Sequence, residues 1–559
     1  VRKPLLRIDV MKMTLAFLGL AAASAAATKG RQRIGLSRSK HPSLAGHVRW
    51  AKRIVGQVPF YDYGEDIFFR ADDAPAEVAV QRREGFDCLA SLFAERYPKS
   101  RALTAETRVG LSDLQFTGAY RVPFQFSRIV RAKLGVGAFL QSSAGVTVTD
   151  LDGNIFYDLT GSYGVNLLGN DFYKSCIAEA VEVAGALGPV LGQYHPVVAD
   201  NVARLTALTG LDEVSFHMSG TEAVMQAVRL AQYHTRRQKI VRFAGAYNGW
   251  WGDVQPGIGN PVSADRTFTL AEMSEKTLAT LRRRRDIACV IVNPLQALHP
   301  NKSAPSDNTL IDSSRHAGAD REAYGEWLRA LAAVCREKGI VFILDEVFTG
   351  FRLARGGAAD YFGVKPDMIT YGKTLGGGLP VGVLVGRAAL MKRYRDDRPA
   401  DICFARGTFN AHPYVMAAMN AFLRRFDDAD IRGLYDGLDH RWNDRAAWLN
   451  QRLETAGVPV RVANLSSIWT ILYTTPSRYN WMLQYYLRAE GLALSWVGTG
   501  RLIFSLNYDD AAFEAVADRF VAAAVAMAGD GWWWQAPGVT DKDLRRSVLR
   551  ETIRKRLGR

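Results

Sequence analysis

The chain has 559 residues, 48% hydrophobic and 23% charged, which excludes disorder as the default and leaves room for two or three well-buried domains. Its formal charge of +15 is uneven: residues 1–56 carry twelve Lys or Arg against Asp9 alone, and residues 541–559 carry eight against Asp541, Asp543 and Glu551. The body between them is close to neutral, which points to a globular enzyme whose basic ends meet an anionic surface and away from a dedicated nucleic-acid binder.

In chain order, the first feature is MTLAFLGLAAASAAAT, sixteen uncharged residues between Lys12 and Lys29. It has the character of a signal-peptide core, a short membrane anchor or a helix packed on the body. Lys29, Arg31, Arg33, Arg38 and Lys40 follow, and such a cluster resists translocation. The expectation is a cytoplasmic protein, with membrane association through the apolar segment left open. Met11 and Met13 stand close behind Val1, so the natural start is open as well. Residues up to 110 read as a basic, helix-rich extension without nameable chemistry. VTVTDLDGNIFYDLTG (146–161) reads as a hairpin turning at Asp152, Gly153 and Asn154.

From residue 210 the pattern alternates. EVSFHM (213–218) is a strand with Val214, Phe216 and Met218 on one face, and Val224, Ala227, Val228 and Ala231 continue at helical spacing. Further β-type runs are KIVRF (239–243), ACVIVN (288–293), IVFILDE (340–346), DMITYGK (367–373) and VGVLVG (381–386). A helix over 320–338 aligns Leu328, Leu331, Ala332 and Cys335. Strand alternating with helix predicts an α/β fold with a mostly parallel sheet covered on both faces, whose ligands bind outside the carboxyl ends of the strands. After residue 400, helices over 412–426 and 511–528 and the strand RLIFSL (501–506) predict a smaller C-terminal α+β domain. The expected division is 1–110 extension, 111–165 N-terminal segment of the main fold, 166–400 large domain, 401–535 small domain and 536–559 basic tail.

Five widely spaced cysteines without CxxC argue against a disulfide framework or a zinc ribbon, and nine histidines without HExxH give a metal site no support. The chemistry lies elsewhere. In MSGTEAVMQAVRLA, Ser219 and Glu222 form a capping-box pattern, and Gly220 and Thr221 sit where free N–H groups can cradle a phosphate; a well-capped helix is the plainer alternative. IVFILDEVFTGFR ends an apolar strand in Asp345 and Glu346, imitating a Walker B strand; such a carboxylate can pair with a protonated ring nitrogen or cap a neighbouring helix. ITYGKTLGGGLPVG places Lys373 between a strand and three glycines. It is no P-loop, because Asp367 occupies the position of the first glycine and the lysine follows the acids. A lysine partly withdrawn from water becomes a nucleophile toward carbonyls. Phosphate cradle, ring-nitrogen acid and amine at strand ends of one sheet describe a pyridoxal phosphate site.

On these stretches, together with GGAADYFGVKPDMITYGKTLGGGLPVG (356–382) and GTFNAHP (407–413), residues 122–528 resemble a class III aminotransferase, nearest the glutamate-1-semialdehyde aminomutase branch. The resemblance implies a fold-type-I, aspartate aminotransferase-like enzyme with pyridoxal 5'-phosphate as cofactor. Lys373 would bind the cofactor and shuttle the substrate proton, and Asp345 would keep the ring nitrogen protonated. Gly220 and Thr221 would bind the phosphate, Tyr247 would stack on the ring, and Val347 would pack on its other face. Thr408 would reach the phosphate of the partner subunit's cofactor, which implies a homodimer. Arg131 and Tyr163 are nominated as substrate contacts. Most members have histidine where this chain has Asn248, and often Glu-Pro where it has Asn293 and Pro294.

The implied reaction moves an amino group from a small amine donor to an aldehyde or ketone through a pyridoxamine form. Transfer within one molecule, as in an aminomutase, is the alternative. A membrane-peripheral protein with a vestigial site is the rival from another class.

Overall fold

A computed structural model describes residues 4–114, 122–137, 139–255, 257–261, 265–300, 313, 315–494 and 500–558. Its centre is a seven-stranded sheet, in the order Glu213–His217, Gly382–Gly386, Met368–Gly372, Val341–Asp345, Ile287–Val292, Lys239–Phe243 and Thr267–Leu270. Gly382–Gly386 runs antiparallel to both neighbours, and the pairs from Met368–Gly372 to Thr267–Leu270 are parallel. The central strands are buried along their whole length, which explains their continuous apolar runs.

The period of two along each strand divides the core. Ile240, Cys289, Ile291, Val341, Ile343, Met368 and Leu384 face the helix Gly220–Thr235, which buries Val224, Ala227, Val228 and Ala231 against them. Phe342, Leu344, Ile369, Tyr371, Val383 and Val385 face the main core, shared with Leu328, Leu331 and Cys335 of the helix Arg321–Lys338. That helix begins at an Asp320 cap and ends at Gly339 in the left-handed region.

The hairpin is present: Thr147–Asp150 pairs antiparallel with Ile155–Asp158, and Asp150 Oδ1 accepts from the Asp152 and Asn154 amides across the turn. Leu492–Ala493 adds to it in parallel, so residues far apart in sequence share this sheet. A third, antiparallel sheet comprises Val460–Leu465, Ile468–Tyr473 and Arg501–Ile503, beside the helices Leu438–Thr455 and Asp510–Gly529.

The extension is docked. Within the helix Ala76–Arg96, Arg82 is wholly buried, forms a two-pronged ion pair with Asp72 at 2.8 and 2.7 Å, and donates to the carbonyls of Phe69 and Gly531. The apolar residues 13–28 fall in the helix Pro4–Ser39, whose end is tied to the body by the His41 amide to the Thr269 carbonyl and by Ser39 to Thr280. Among the described residues no helix is long and apolar enough to cross a membrane.

Candidate functional site

Three elements end at one edge of the central sheet. Asp345 is the last residue of Val341–Asp345, Lys373 follows the last residue of Met368–Gly372, and Ser219 follows the strand Glu213–His217. Register brings them together, since Asp345 lies opposite Thr370, and Gly382 opposite both Gly372 and His217. This edge is the carboxyl end of the parallel strands, where the sequence places its unusual residues.

Asp345 is buried and fully engaged. Its Oδ2 accepts from Asn248 Nδ2 at 2.7 Å, and its Oδ1 accepts from Thr370 Oγ1 at 3.1 Å and the Val347 amide at 3.2 Å. Burial pushes its pKa up, while those donors and the charge of Lys373 hold it down. The adjacent Glu346 has the helix-capping role, accepting from the amides of Ala358 and Ala359. Burial raises Glu346 to about 7. The two neighbouring acids therefore differ in role: Asp345 is held by side-chain and backbone donors at the strand end, and Glu346 caps a helix.

Lys373 adopts φ +48°, a left-handed conformation at a non-glycine residue that turns the chain sharply after the strand. Its Nζ lies 4.8 Å from the centroid of the Phe348 ring and makes no hydrogen bond or ion pair with another described residue. Loss of water lowers its pKa from 10.5 to about 8; Asp345 opposes the shift, and the cations Arg352 and Arg501 add to it. Arg352 is a buried strut that donates to Ser467 Oγ and the carbonyls of Phe504 and Asn166.

Ser219 caps the helix Gly220–Thr235, accepting from the Glu222 amide at 3.2 Å. The reciprocal half of the expected capping box is displaced: Glu222 accepts from the Met218 amide instead of that of Ser219. The amides of Gly220 and Thr221 have no acceptor among the described residues. A Cβ on Gly220 would lie 2.6 Å from Val347 Cγ1, so a side chain there would displace Val347. Gly249, at φ +96°, carries the segment that bears Tyr247 and Asn248 against Thr221; its Cβ would lie 2.7 Å from Thr221 Oγ1. Tyr247 is 59% exposed, its backbone carbonyl accepts from Asn293 Nδ2 at 2.9 Å, and burial and then Asp345 raise its pKa.

Tyr163 lies on the turn Gly161–Gly164, with Ser162 and Tyr163 both at positive φ. Two such residues cost about 1–3 kcal/mol each. The turn is pressed on the site: a Cβ on Gly164 would lie 2.7 Å from Phe348 Cε2 and 3.4 Å from Lys373 Cδ. Thr408 is exposed between the exposed Phe404 and Phe409, and no described contact joins it to Lys373 of the same chain. Arg131, exposed on the short helix Ser127–Lys133, bears electrostatically on Tyr485 and is not among the charges that move Lys373. Sequence reasoning did not single out Thr370, Phe348 or Arg501.

A sheet of this order, with these residues gathered at its strand ends, is the architecture of a fold-type-I pyridoxal phosphate transferase. The aminotransferase class-III sequence profile matches residues 131–524, and the chain belongs to that family. A glutamate-1-semialdehyde 2,1-aminomutase from Geotalea daltonii is 31% identical over 435 residues, covering 72% of this chain and 95% of the relative. A transaminase solved with pyridoxal phosphate bound is 25% identical, with a TM-score of 0.62 over 77% of this chain and 99% of its own. A glutamate-1-semialdehyde aminomutase from Pseudomonas aeruginosa, 18% identical, has the same fold, with a TM-score of 0.64 over 81% of this chain and 99% of its own.

The protein is thus a pyridoxal phosphate-dependent enzyme that moves an amino group to an aldehyde or ketone. The residues at these strand ends fit that cofactor on their own chemistry. They offer an amine with no hydrogen bond or ion pair among the described residues, a buried carboxylate whose raised pKa calls for a cation, and two helix-start amides with no acceptor among the described residues.

Proposed function

We propose that Lys373 and Asp345 are the catalytic pair and that Gly220, Thr221, Tyr247 and Val347 complete the cofactor site. The observation that carries this reading is the Lys373 amine, free of hydrogen bonds and ion pairs among the described residues and with a pKa of about 8, in the electrostatic reach of an Asp345 fixed by three donors. Bound pyridoxal phosphate supplies an electron sink for charge that develops on the substrate carbon.

The chain's own groups do the rest. Asp345, denied water, would hold the proton on the ring nitrogen, because a carboxylate in that setting gains most from a cation. The Gly220 and Thr221 amides, at the positive end of the helix Gly220–Thr235, would hold the phosphate. Tyr247 and Val347 would bound the two faces of the ring. Lys373 Nζ, poised near neutral pH, would take the proton from the substrate carbon and return it. Tyr163, on the strained turn beside Phe348 and Lys373, would close the substrate side.

Arg501 bears on Lys373 from the strand Arg501–Ile503, which favours a substrate with an anionic group near the reacting carbon. The relative from Geotalea daltonii, matched over 95% of its length, favours intramolecular transfer as a second reading. Five free cysteines and the basic cluster after residue 28 support a cytoplasmic setting, and the exposed loop around Thr408 supports a homodimer. Single amine donors, added one at a time to enzyme loaded with pyridoxal phosphate, would separate the two transfer modes. A donor that bleaches the pyridoxal absorbance and leaves a carbonyl product marks intermolecular transfer, whereas a substrate rearranged without any second compound marks the aminomutase type. Turnover that survives Lys373→Ala would end the proposal.

A further inference from the structure

We propose that the outward face of the C-terminal helix Asp541–Arg556 is a docking surface for an anionic lipid bilayer. This goes beyond the amino-transfer reading and rests on none of the residues in the cleft.

The helix is held by its acids. Asp541 accepts from the Ser313 amide at 2.7 Å and from its hydroxyl at 2.8 Å, and Glu551 accepts from the buried Arg478 at 2.9 Å and from Tyr63. Asp543 completes a capping box with Thr540. Leu544 is buried on the same inner side, and Lys555 lies 6.0 Å from the ring centroid of Tyr61. With two carboxylates turned inward and the third tied to the cap, the outward face is cationic.

That face is also apolar in a regular way. Leu549, Ile553 and Leu557 are 59%, 48% and 65% exposed and recur every fourth residue, so they form one row along the helix. Arg546, Arg550 and Arg554 form a parallel row beside it, with no ion pair to neutralise them among the described residues. A solvated face would not need the leucines, and a phosphodiester backbone would not reward them. A bilayer interface rewards both, taking aliphatic side chains into the acyl boundary while arginines stay at the headgroups.

The neighbouring surface continues the pattern. Phe60, 81% exposed, adjoins the Tyr61 that lies beneath Lys555. Aromatic side chains with basic neighbours are characteristic of membrane interfaces.

Co-sedimentation of the full chain with phosphatidylcholine vesicles, with and without phosphatidylserine, tests this. Binding should require the anionic lipid, and Arg546→Glu/Arg550→Glu/Arg554→Glu should weaken it by about tenfold or more. Leu549→Ser/Ile553→Ser/Leu557→Ser should remove the part of the binding that persists at high salt, and both variants should keep wild-type turnover. The proposal is overturned if the charge-reversed chain sediments like wild type, if high salt alone abolishes all binding, or if duplex DNA at the same salt is bound more tightly than the vesicles.

Discussion

Asn248 Nδ2 lies 2.7 Å from Asp345 Oδ2, and both side chains are buried at the edge of the central sheet. An uncharged amide thus supplies the acid's shortest hydrogen bond. Unlike an imidazole it cannot titrate, so the donor is constant with pH. Hydrogen bonds to charged groups are worth about 1.5–3 kcal/mol, which converts to roughly ten- to hundredfold in an equilibrium. Asn248→Ala should weaken pyridoxal phosphate binding by that factor in an absorbance titration of cofactor-free enzyme. Asn248→Asp should weaken it further, because a second buried carboxyl competes for the same proton. Unchanged affinity in both variants would separate Asn248 from the cofactor site.

Lys373 sets a second expectation. With its pKa lowered to about 8, the amine is charged below that pH and neutral above it. Only the neutral form attacks a carbonyl. The rate at which cofactor-free enzyme captures pyridoxal phosphate should therefore rise with pH, bend at about 8 and level off above it, where an ordinary lysine would continue rising toward 10.5. Borohydride reduction followed by peptide mapping should place the label on the peptide bearing Lys373, and Lys373→Ala should carry none. A profile still climbing steeply at pH 9.5, on the order of one unit below an ordinary lysine, would contradict the desolvated setting.

Much of this was legible in the sequence where burial writes a simple pattern. Ile287–Val292 and Val341–Asp345 read as strands because they are apolar without interruption, being covered on both faces. Lys373 and Asp345 stood out because each terminates such a run. Thr267–Leu270 was missed: TFTL alternates, but over only four residues at the sheet edge, and the buried side chains include both threonines while Phe268 is half-buried, so the alternation does not mark the inward face. Thr370 was missed for a different reason. Its hydroxyl meets Asp345 only through the register of two strands, and register is fixed by tertiary packing. Asn248 was noticed as an odd residue, but its partner is 97 positions away.

Gly220 offers a steric test. Its missing Cβ leaves room that Val347 Cγ1 would otherwise contest at 2.6 Å. Gly220→Ala should push Val347 toward the cleft at a cost of about 1–3 kcal/mol, read as weaker cofactor binding with little change in the far-ultraviolet spectrum. Adding Val347→Ala should return part of the lost affinity by removing the opposing methyl groups. A double variant no better than the single one would mean that the glycine serves its own backbone and not the neighbouring side chain.

Arg82 tests whether the extension belongs to the folded body. Its guanidinium is wholly buried, paired with Asp72, and lies 4.4 Å from the Tyr479 ring centroid. Removing one partner of a buried pair costs about 3–5 kcal/mol because the other charge is left without compensation. Arg82→Met should therefore lower the first thermal transition clearly, and Asp72→Asn in the same chain should recover part of the loss. No shift in either variant would mean that the extension unfolds independently of the rest.

Thr408 yields the quaternary test. It is exposed beside Phe404 and Phe409, which are 67% and 53% exposed, and no described contact links it to its own Lys373. If it serves the phosphate of a partner subunit, each site takes its lysine from one chain and its threonine from the other. Thr408→Asp would place a negative charge against that phosphate and silence the site, as Lys373→Ala does. Mixing the two inactive variants under conditions that allow subunit exchange then creates one site with every native residue in each heterodimer. Random pairing makes half of the dimers mixed, so about a quarter of wild-type activity should appear. A threonine acting within its own chain predicts none, because neither chain of the mixed dimer would carry both residues intact.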